Sequence, residues 1–400
     1  MAYTRSVCIV GAGPSGLVAA KTFLQQGSYS VTVYEAAGRV GGMWRAQPGE
    51  YGDKCSPEMR TNLSRFTVAF SDLPWSSVDL SDPSVTESSP STPPMFPKAW
   101  QVGRYLERYA DKFGLNSNIF LNHRVTSAEI MEDMRTWKIS SYNTITQQST
   151  TQSFDYLIIA SGFFERPGRT FSSSTNADLS NVQHSSEFRD LPSLTLKSGK
   201  VAVIGGGISG SEAAAQAAFQ ISSAKHSPSR KKPVHADSKI YHIINRPFYC
   251  LPRYLARDPY KESTGDVNLA PTFLPLDFVL YNLSRRGDGQ ISASITTVPV
   301  DKASKGHGFM RSVIGGDQQE YNSPALVHSS AQTQYPAYCG ITDTYLEFVR
   351  SGLIIPVQGW ADRVEKQDDS GLFEISLQHK EPWSEDAGVW AVLRASEDPY

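Results

Sequence analysis

An alternating apolar run, Ser6 to Val10, breaks at Gly11 and is followed by Leu17, Ala20 and Leu24 at helical spacing. The run predicts a strand and the spacing predicts a helix over Pro14 to Gln26, with Gly27 as its stop. Val31 to Glu35 is apolar again, so the opening of the chain reads as a βαβ unit. The same succession returns later as a strand at Val201 to Ile204, a helix at Ser209 to Ile221 and a strand at Ile240 to Asn245. Between the two units, Tyr105, Leu106, Tyr109 and Phe113 mark a helix over Val102 to Phe113. Segments Ile119 to Val125, Trp137 to Ser141 and Phe154 to Ile159 are β-prone, the last ending in Ala160-Ser161-Gly162. Tyr345 to Val357 reads as helix then strand, and Phe373 to Leu377 as a strand. Three polar stretches stand apart: Ser76 to Pro94, a surface loop; Ser222 to Ser238, a proline-broken insertion; and Asp301 to Ser323, which contains glycines.

The pattern predicts an α/β fold with two nested Rossmann-like dinucleotide-binding domains, parallel sheets with helices on both faces, and β-meander crossovers. The expected division is a first domain over 1–165, a linker over 166–198 and a second domain over 199–335. A return to the first domain is expected over 336–400.

Each βαβ unit turns on glycines. In GAGPSG, Gly11 permits the tight turn, Gly13 lets the backbone approach a pyrophosphate, and Gly16 allows close helix–strand packing. Pro14 and Ser15 begin the helix whose N-terminus would receive the phosphates. Glu35 follows Gly16 by 19 residues, close to the separation at which an acid binds the adenosine ribose. In GGGISG, Gly205, Gly207, Ser209 and Gly210 repeat the arrangement, but the next strand ends in Asn245-Arg246. A guanidinium there suits a 2′-phosphate and favours NADPH over NADH; an arginine at a strand end equally serves as a solvated surface residue. Arg253, in LPRY, is a second and weaker candidate. Two cradles imply two cofactors, and the pairing points to a flavoprotein that binds FAD and is reduced by a pyridine nucleotide.

Composition narrows the partners. Forty acidic against thirty-eight basic residues leave a net charge of −2, which predicts no pull toward nucleic acid or anionic membrane and points to a small-molecule substrate. The apolar stretch Leu269 to Leu283 is broken by Pro271, Pro275 and Asp277, so no membrane span is expected. The N-terminus runs directly into a strand, which reads as neither a signal nor a transit segment and fits a cytoplasmic setting. Cys8, Cys55, Cys250 and Cys339 form no CxxC and no Cys/His cluster, so neither a metal site nor a dithiol acceptor for flavin electrons is predicted. The sequence says nothing of oligomeric state.

GAGPSGL, YEAAGRVGGMW and MRTNLSRFTVAFSDLPW together resemble the class B flavin-dependent monooxygenases, particularly their flavin-containing monooxygenase branch. FPKAWQVGRYLERYADKFGL is similar to that family's next helix. The resemblance implies that Gly42, Met43 and Trp44 lie at the flavin, and that Thr61 and Asn62 lie between flavin and nicotinamide. It further implies that the backbone of Val125 meets the flavin adenine. Asn62, with an amide that both donates and accepts, becomes the candidate catalytic residue; its bland alternative is a turn or helix cap. The family's linker signature is half present: His184 and Phe188 match, while Asp178 and Ser180 replace a Phe and a Gly. Phe188 in place of Trp tilts the expectation away from Baeyer–Villiger oxidation of ketones.

The implied activity is NADPH- and O2-dependent oxygenation of a small organic substrate at N or S, through a peroxide adduct of the flavin. Ketone oxidation, NADPH oxidation without oxygen insertion and a catalytically silent binder remain the alternatives. Relatives continue past the equivalent of Tyr400 into a strand that closes the flavin domain, so that domain is expected to be incomplete here.

Overall fold

A computed structural model describes residues 4–48, 50, 54–81, 93–131, 135–163, 172–173, 182–194, 199–229, 231, 233–256, 273–280, 298–367, 372–379 and 388–394. The chain divides into two compact units, Met1–Pro167 and Gly168–Tyr400.

In the first unit, β1 (Arg5–Val10), α1 (Pro14–Gln25) and β2 (Tyr29–Tyr34) form the βαβ unit. They are followed by α2 (Ala99–Lys112), β3 (Ile119–Phe120), β4 (His123–Ile130), β5 (Trp137–Asn143), β6 (Ser149–Phe154) and β7 (Tyr156–Ile159). A parallel sheet runs in the order β3-β2-β1-β7, and β4-β5-β6 form an antiparallel meander. Strand β1 is apolar from Val7 to Val10 because both of its faces are covered there. Val7 and Ile9 pack with Leu17, Ala20 and the α2 residues Tyr105 and Tyr109, whereas Cys8 packs with Tyr34, Ile139 and Phe154 of the meander side. The β-prone segment Phe154 to Ile159 is two strands, not one. Asp155 forms the corner between them, its Oδ2 accepting from the Ser6 backbone N–H (2.6 Å) and hydroxyl (2.8 Å), so the chain leaves the meander and enters the parallel sheet beside β1.

The second unit contains β8 (Ser172–Ser173), β9 (Lys200–Ile204), α3 (Ile208–His226), β10 (Lys239–Ile244), β11 (Tyr249–Leu251), β12 (Tyr254–Ala256) and β13 (Phe273–Pro275). Next come α4 (Leu276–Leu280), α5 (Val300–Ile314), β14 (Cys339–Ile341), α6 (Tyr345–Arg350), β15 (Ile354–Gln358), β16 (Trp360–Gln367), β17 (Leu372–His379) and β18 (Gly388–Arg394). Its parallel sheet has the order β15-β10-β9, with a second sheet β18-β17-β16-β8. Ala214, Ala217, Ala218 and Ile221 of α3 pack on Ile240 and Ile244 of β10, with Tyr345 and Val349 of α6 in the same core.

Three further expectations need correction. Helix α3 runs to His226, so the start of the stretch read as an insertion is helical, with Lys225 and His226 favourably placed at its C-terminal pole. The glycine-containing stretch after Asp301 holds α5; Pro299 caps it, Ala303 and His307 face inward, and Gly315 at φ +81 ends it. The return to the first domain expected from residue 336 does not begin there. β14 pairs with β11 and β15 extends the β10 edge, because the apolar run Ile354–Val357 completes the second sheet. No described helix is long and apolar enough to cross a membrane.

Candidate functional site

The first cradle is built where β1 ends. Gly11 takes φ +104, its N–H donates to the Tyr34 carbonyl, and a side chain on it would collide with the Ala160 carbonyl. A Cβ on Gly16 would collide with the Gly11 carbonyl, so α1 can start this close to β1 only with glycine there. Gly13 is different. A Cβ there would meet nothing nearer than Gly42 Cα at 3.7 Å, so its bareness leaves a gap between α1 and the Gly42–Trp44 turn that a phosphate group would use. Pro14 occupies the first turn of α1, Ser15 is exposed, and no side chain caps the helix. Its positive pole is therefore open to an anion.

Glu35, almost fully buried, accepts from the Ala12 N–H through Oε2 (2.7 Å) and from the Ala37 N–H through Oε1 (2.9 Å). It thereby ties the turn to the end of β2, and each oxygen keeps acceptor capacity for a ribose hydroxyl. Gly41 at φ +114 and Gly42 at φ +59 bend the next turn back onto the cradle, where the Gly41 N–H donates to the Ala12 carbonyl. Met43 is exposed and Trp44 is half-buried against the first core. Thr61 is buried, its hydroxyl donating to the Leu63 carbonyl at 2.7 Å, and Asn62 beside it is half-buried. Val125 sits on β4 at a bulge, half-buried on the meander side of the sheet.

The second cradle repeats the backbone. Gly205 takes φ +124 and donates to the Ile243 carbonyl, and a Cβ on Gly210 would collide with the Gly205 carbonyl. Gly207 precedes α3, which again has no side-chain cap, and Ser209 is exposed in its first turn. Tyr338 closes one wall, its hydroxyl standing 3.2 Å from where a Cβ on Gly207 would lie. The guanidinium of Arg246 lies over the same ring, 4.6 Å from its centroid, and no carboxylate pairs with it among the described residues. Arg246 and Tyr338 also line a small cavity with His307, His328, Gln332 and Tyr335.

Arg253, the weaker 2′-phosphate candidate, is committed elsewhere. It is buried and forms ion pairs with Asp343 (2.8 Å) and Glu212 (3.1 Å), so it braces the unit from inside. His184 is exposed and its Nδ1 pairs locally with the Ser186 hydroxyl (2.8 Å). Asp178 and Ser180 lie outside the described residues. All four cysteines are free. Burial pushes the Cys8 thiol up to about 12 and raises those of Cys250 and Cys339 as well, which holds them protonated and inert. The described residues contain no His/Cys/Asp/Glu group suited to a metal.

The sequence reading included Gly41 only as part of the GGMW turn, whose bend its φ makes possible, and it passed over Gly103, where a side chain would collide with the Trp44 carbonyl, and Tyr338. Gly103 stood in plain sight as a glycine inside a helix. Tyr338 carried no signal, lying in a segment assigned to the other domain.

The chain is 29% identical over 278 residues to the senecionine N-oxygenase of Tyria jacobaeae, covering 69% of this chain and 57% of that protein. It is 28% identical over 180 residues to the flavin-containing monooxygenase FMO GS-OX-like 6 of Arabidopsis thaliana, covering 41% and 36%. It thus spans a little over half of the first relative and about a third of the second. The crystal structure of OTEMO in complex with FAD and NADP superposes with a TM-score of 0.52 at 18% identity, covering 91% of this chain and 68% of that one, a likeness of fold. These relatives bear out the resemblance to flavin-dependent monooxygenases. The family described as pyridine nucleotide-disulphide oxidoreductase matches residues 5–227, more than half of the chain and both cradles, and the chain belongs to that family.

Proposed function

We propose that this protein is an NADPH- and O2-dependent flavin monooxygenase that oxygenates a small organic substrate at nitrogen or sulfur. The first cradle holds FAD and the second holds NADPH. The observation that carries the reading is the pair of glycine turns, each opening an uncapped helix. Glu35 follows one of them, and Arg246 follows the other. Burial holds the Cys8, Cys250 and Cys339 thiols protonated, which supports an acceptor other than these thiols.

Bound flavin, once reduced by the nicotinamide, supplies the activation of dioxygen. This chain's residues do the rest. The N-terminal pole of α1 receives the FAD pyrophosphate, and Glu35 accepts from the ribose while keeping its bonds to Ala12 and Ala37. Pro14, Ser15 and the Gly42-Met43-Trp44 turn flank the same gap. Thr61 holds its own loop through the Leu63 carbonyl, which presents the Asn62 amide as donor and acceptor to the reacting atoms. The Val125 backbone meets the adenine side. In the second cradle Gly205, Gly207, Ser209 and Gly210 take the NADPH pyrophosphate, and Arg246, steadied on Tyr338, takes the 2′-phosphate.

The test is oxygen uptake by the FAD-loaded chain with NADPH and a tertiary amine or a thioether, with oxygenated product and hydrogen peroxide both quantified. Product matching NADPH consumed supports the reading. Stoichiometric peroxide with no product identifies an oxidase. Product from a ketone alone identifies Baeyer–Villiger chemistry, and no turnover identifies a silent binder.

A further inference from the structure

One buried difference between the two cradles lies directly beneath the glycine turns. Gly11 donates to Tyr34 and Gly205 to Ile243, so the preceding residues, Val33 and His242, occupy equivalent places under their turns. Both are fully buried, yet one is an isopropyl group and the other an imidazole. A buried imidazole is tolerated only with its nitrogens satisfied. His242 Nε2–H donates to the Gly205 carbonyl at 2.9 Å, and Nδ1 accepts from the Tyr345 hydroxyl at 2.6 Å. Because a carbonyl only accepts, this arrangement fixes a single neutral tautomer.

The carbonyl it holds is at the pivot of the cradle. Gly205 has φ +124, and the Gly210 backbone crowds the same oxygen so closely that a Cβ there would collide with it and lie 3.3 Å from His242 Nε2. The peptide joining residues 205 and 206 is therefore gripped from β10 and from α3 together. In the first cradle no side chain donates to the Gly11 carbonyl among the described residues.

We propose that the Tyr345–His242–Gly205 hydrogen-bond chain is a positioning device for the second cradle, fixing the peptide plane that aims the first N–H groups of α3 at the dinucleotide pyrophosphate. His242 touches no ligand; it acts through Gly205. The inference rests on the reading of this cradle as the NADPH site.

Its test uses the full FAD-loaded chain, titrated calorimetrically with NADP⁺, and amide hydrogen exchange over 206–209 without nucleotide. His242→Leu is expected to weaken NADP⁺ binding about tenfold and to speed exchange, while His242→Gln, which restores a donor, returns binding to within about threefold. Tyr345→Phe, which keeps the ring and loses the hydroxyl, is expected to weaken binding about threefold. FAD content of the first cradle stays constant throughout. Wild-type affinity in His242→Leu, or equal weakness in His242→Gln, overturns the proposal. If His242→Leu does not fold, Tyr345→Phe and His242→Gln decide, and unchanged affinity and exchange in Tyr345→Phe overturn it. Failure of the wild-type chain to bind NADP⁺ refutes the NADPH reading instead, and the exchange rates then still decide the positioning role.

Discussion

Single atoms separate the two jobs that cradle glycines do. Gly16 and Gly210 are bare because a Cβ would strike the carbonyl of the glycine that begins each turn, whereas Gly13 is bare with space around it. Gly16→Ala should therefore lower stability by about 2 kcal/mol in urea unfolding, through overpacking and backbone shift. Gly13→Ala should unfold within about 0.5 kcal/mol of wild type and yet lose FAD. The two arginines divide in the same way. Arg246→Ala should reduce the preference for NADPH over NADH by roughly ten- to a hundredfold, measured as the ratio of dissociation constants. Arg253→Ala should leave that ratio unchanged and cost about 2 kcal/mol of stability, because Glu212 loses its guanidinium partner. The glycines were legible in the sequence because spacing alone encodes them. The split between Arg246 and Arg253 was not, since it depends on carboxylates 41 and 90 residues away in the chain.

At the scale of elements, the apolar stretches Val7–Val10 of β1 and Val201–Ile204 of β9, and the apolar-rich β2 and β10, made these strands readable. Helix α5 escaped because Gly306 and Gly308 interrupt its pattern; a Cβ on Gly306 would meet nothing nearer than Ala337 Cβ at 3.9 Å, so neighbouring packing tolerates the bare position. Strand β10 also carries a titration. Burial lowers His242 from 6.5 to about 4, so the unfolded chain binds more protons than the folded one between these values. Its contribution to stability is complete above pH 6.5, falls as the pH drops through that window, and is exhausted below about pH 4. Urea midpoints should show about 2 kcal/mol less stability at pH 5 than at pH 7 from His242 alone, and His242→Gln should remove that part of the slope.

For the whole molecule, the domain boundary was the least legible feature. The strand Ile354–Gln358 has the same apolar character whichever sheet receives it, and only its pairing with β10 assigns it to the second unit. The electron route has a consequence at this scale as well. Iodoacetamide treatment of the native protein at neutral pH should leave NADPH turnover unchanged, because the route uses no thiol; a loss of turnover proportional to alkylation would place a cysteine on the path. The central claim is that one chain holds two different dinucleotides and passes electrons from the second to the first. Anaerobic titration of the FAD-loaded chain with NADPH tests it most directly: the account predicts one tightly held FAD per chain, bleached by one equivalent of NADPH and restored by air. A chain that retains no flavin, or whose bound flavin stays oxidised under excess NADPH, would contradict it.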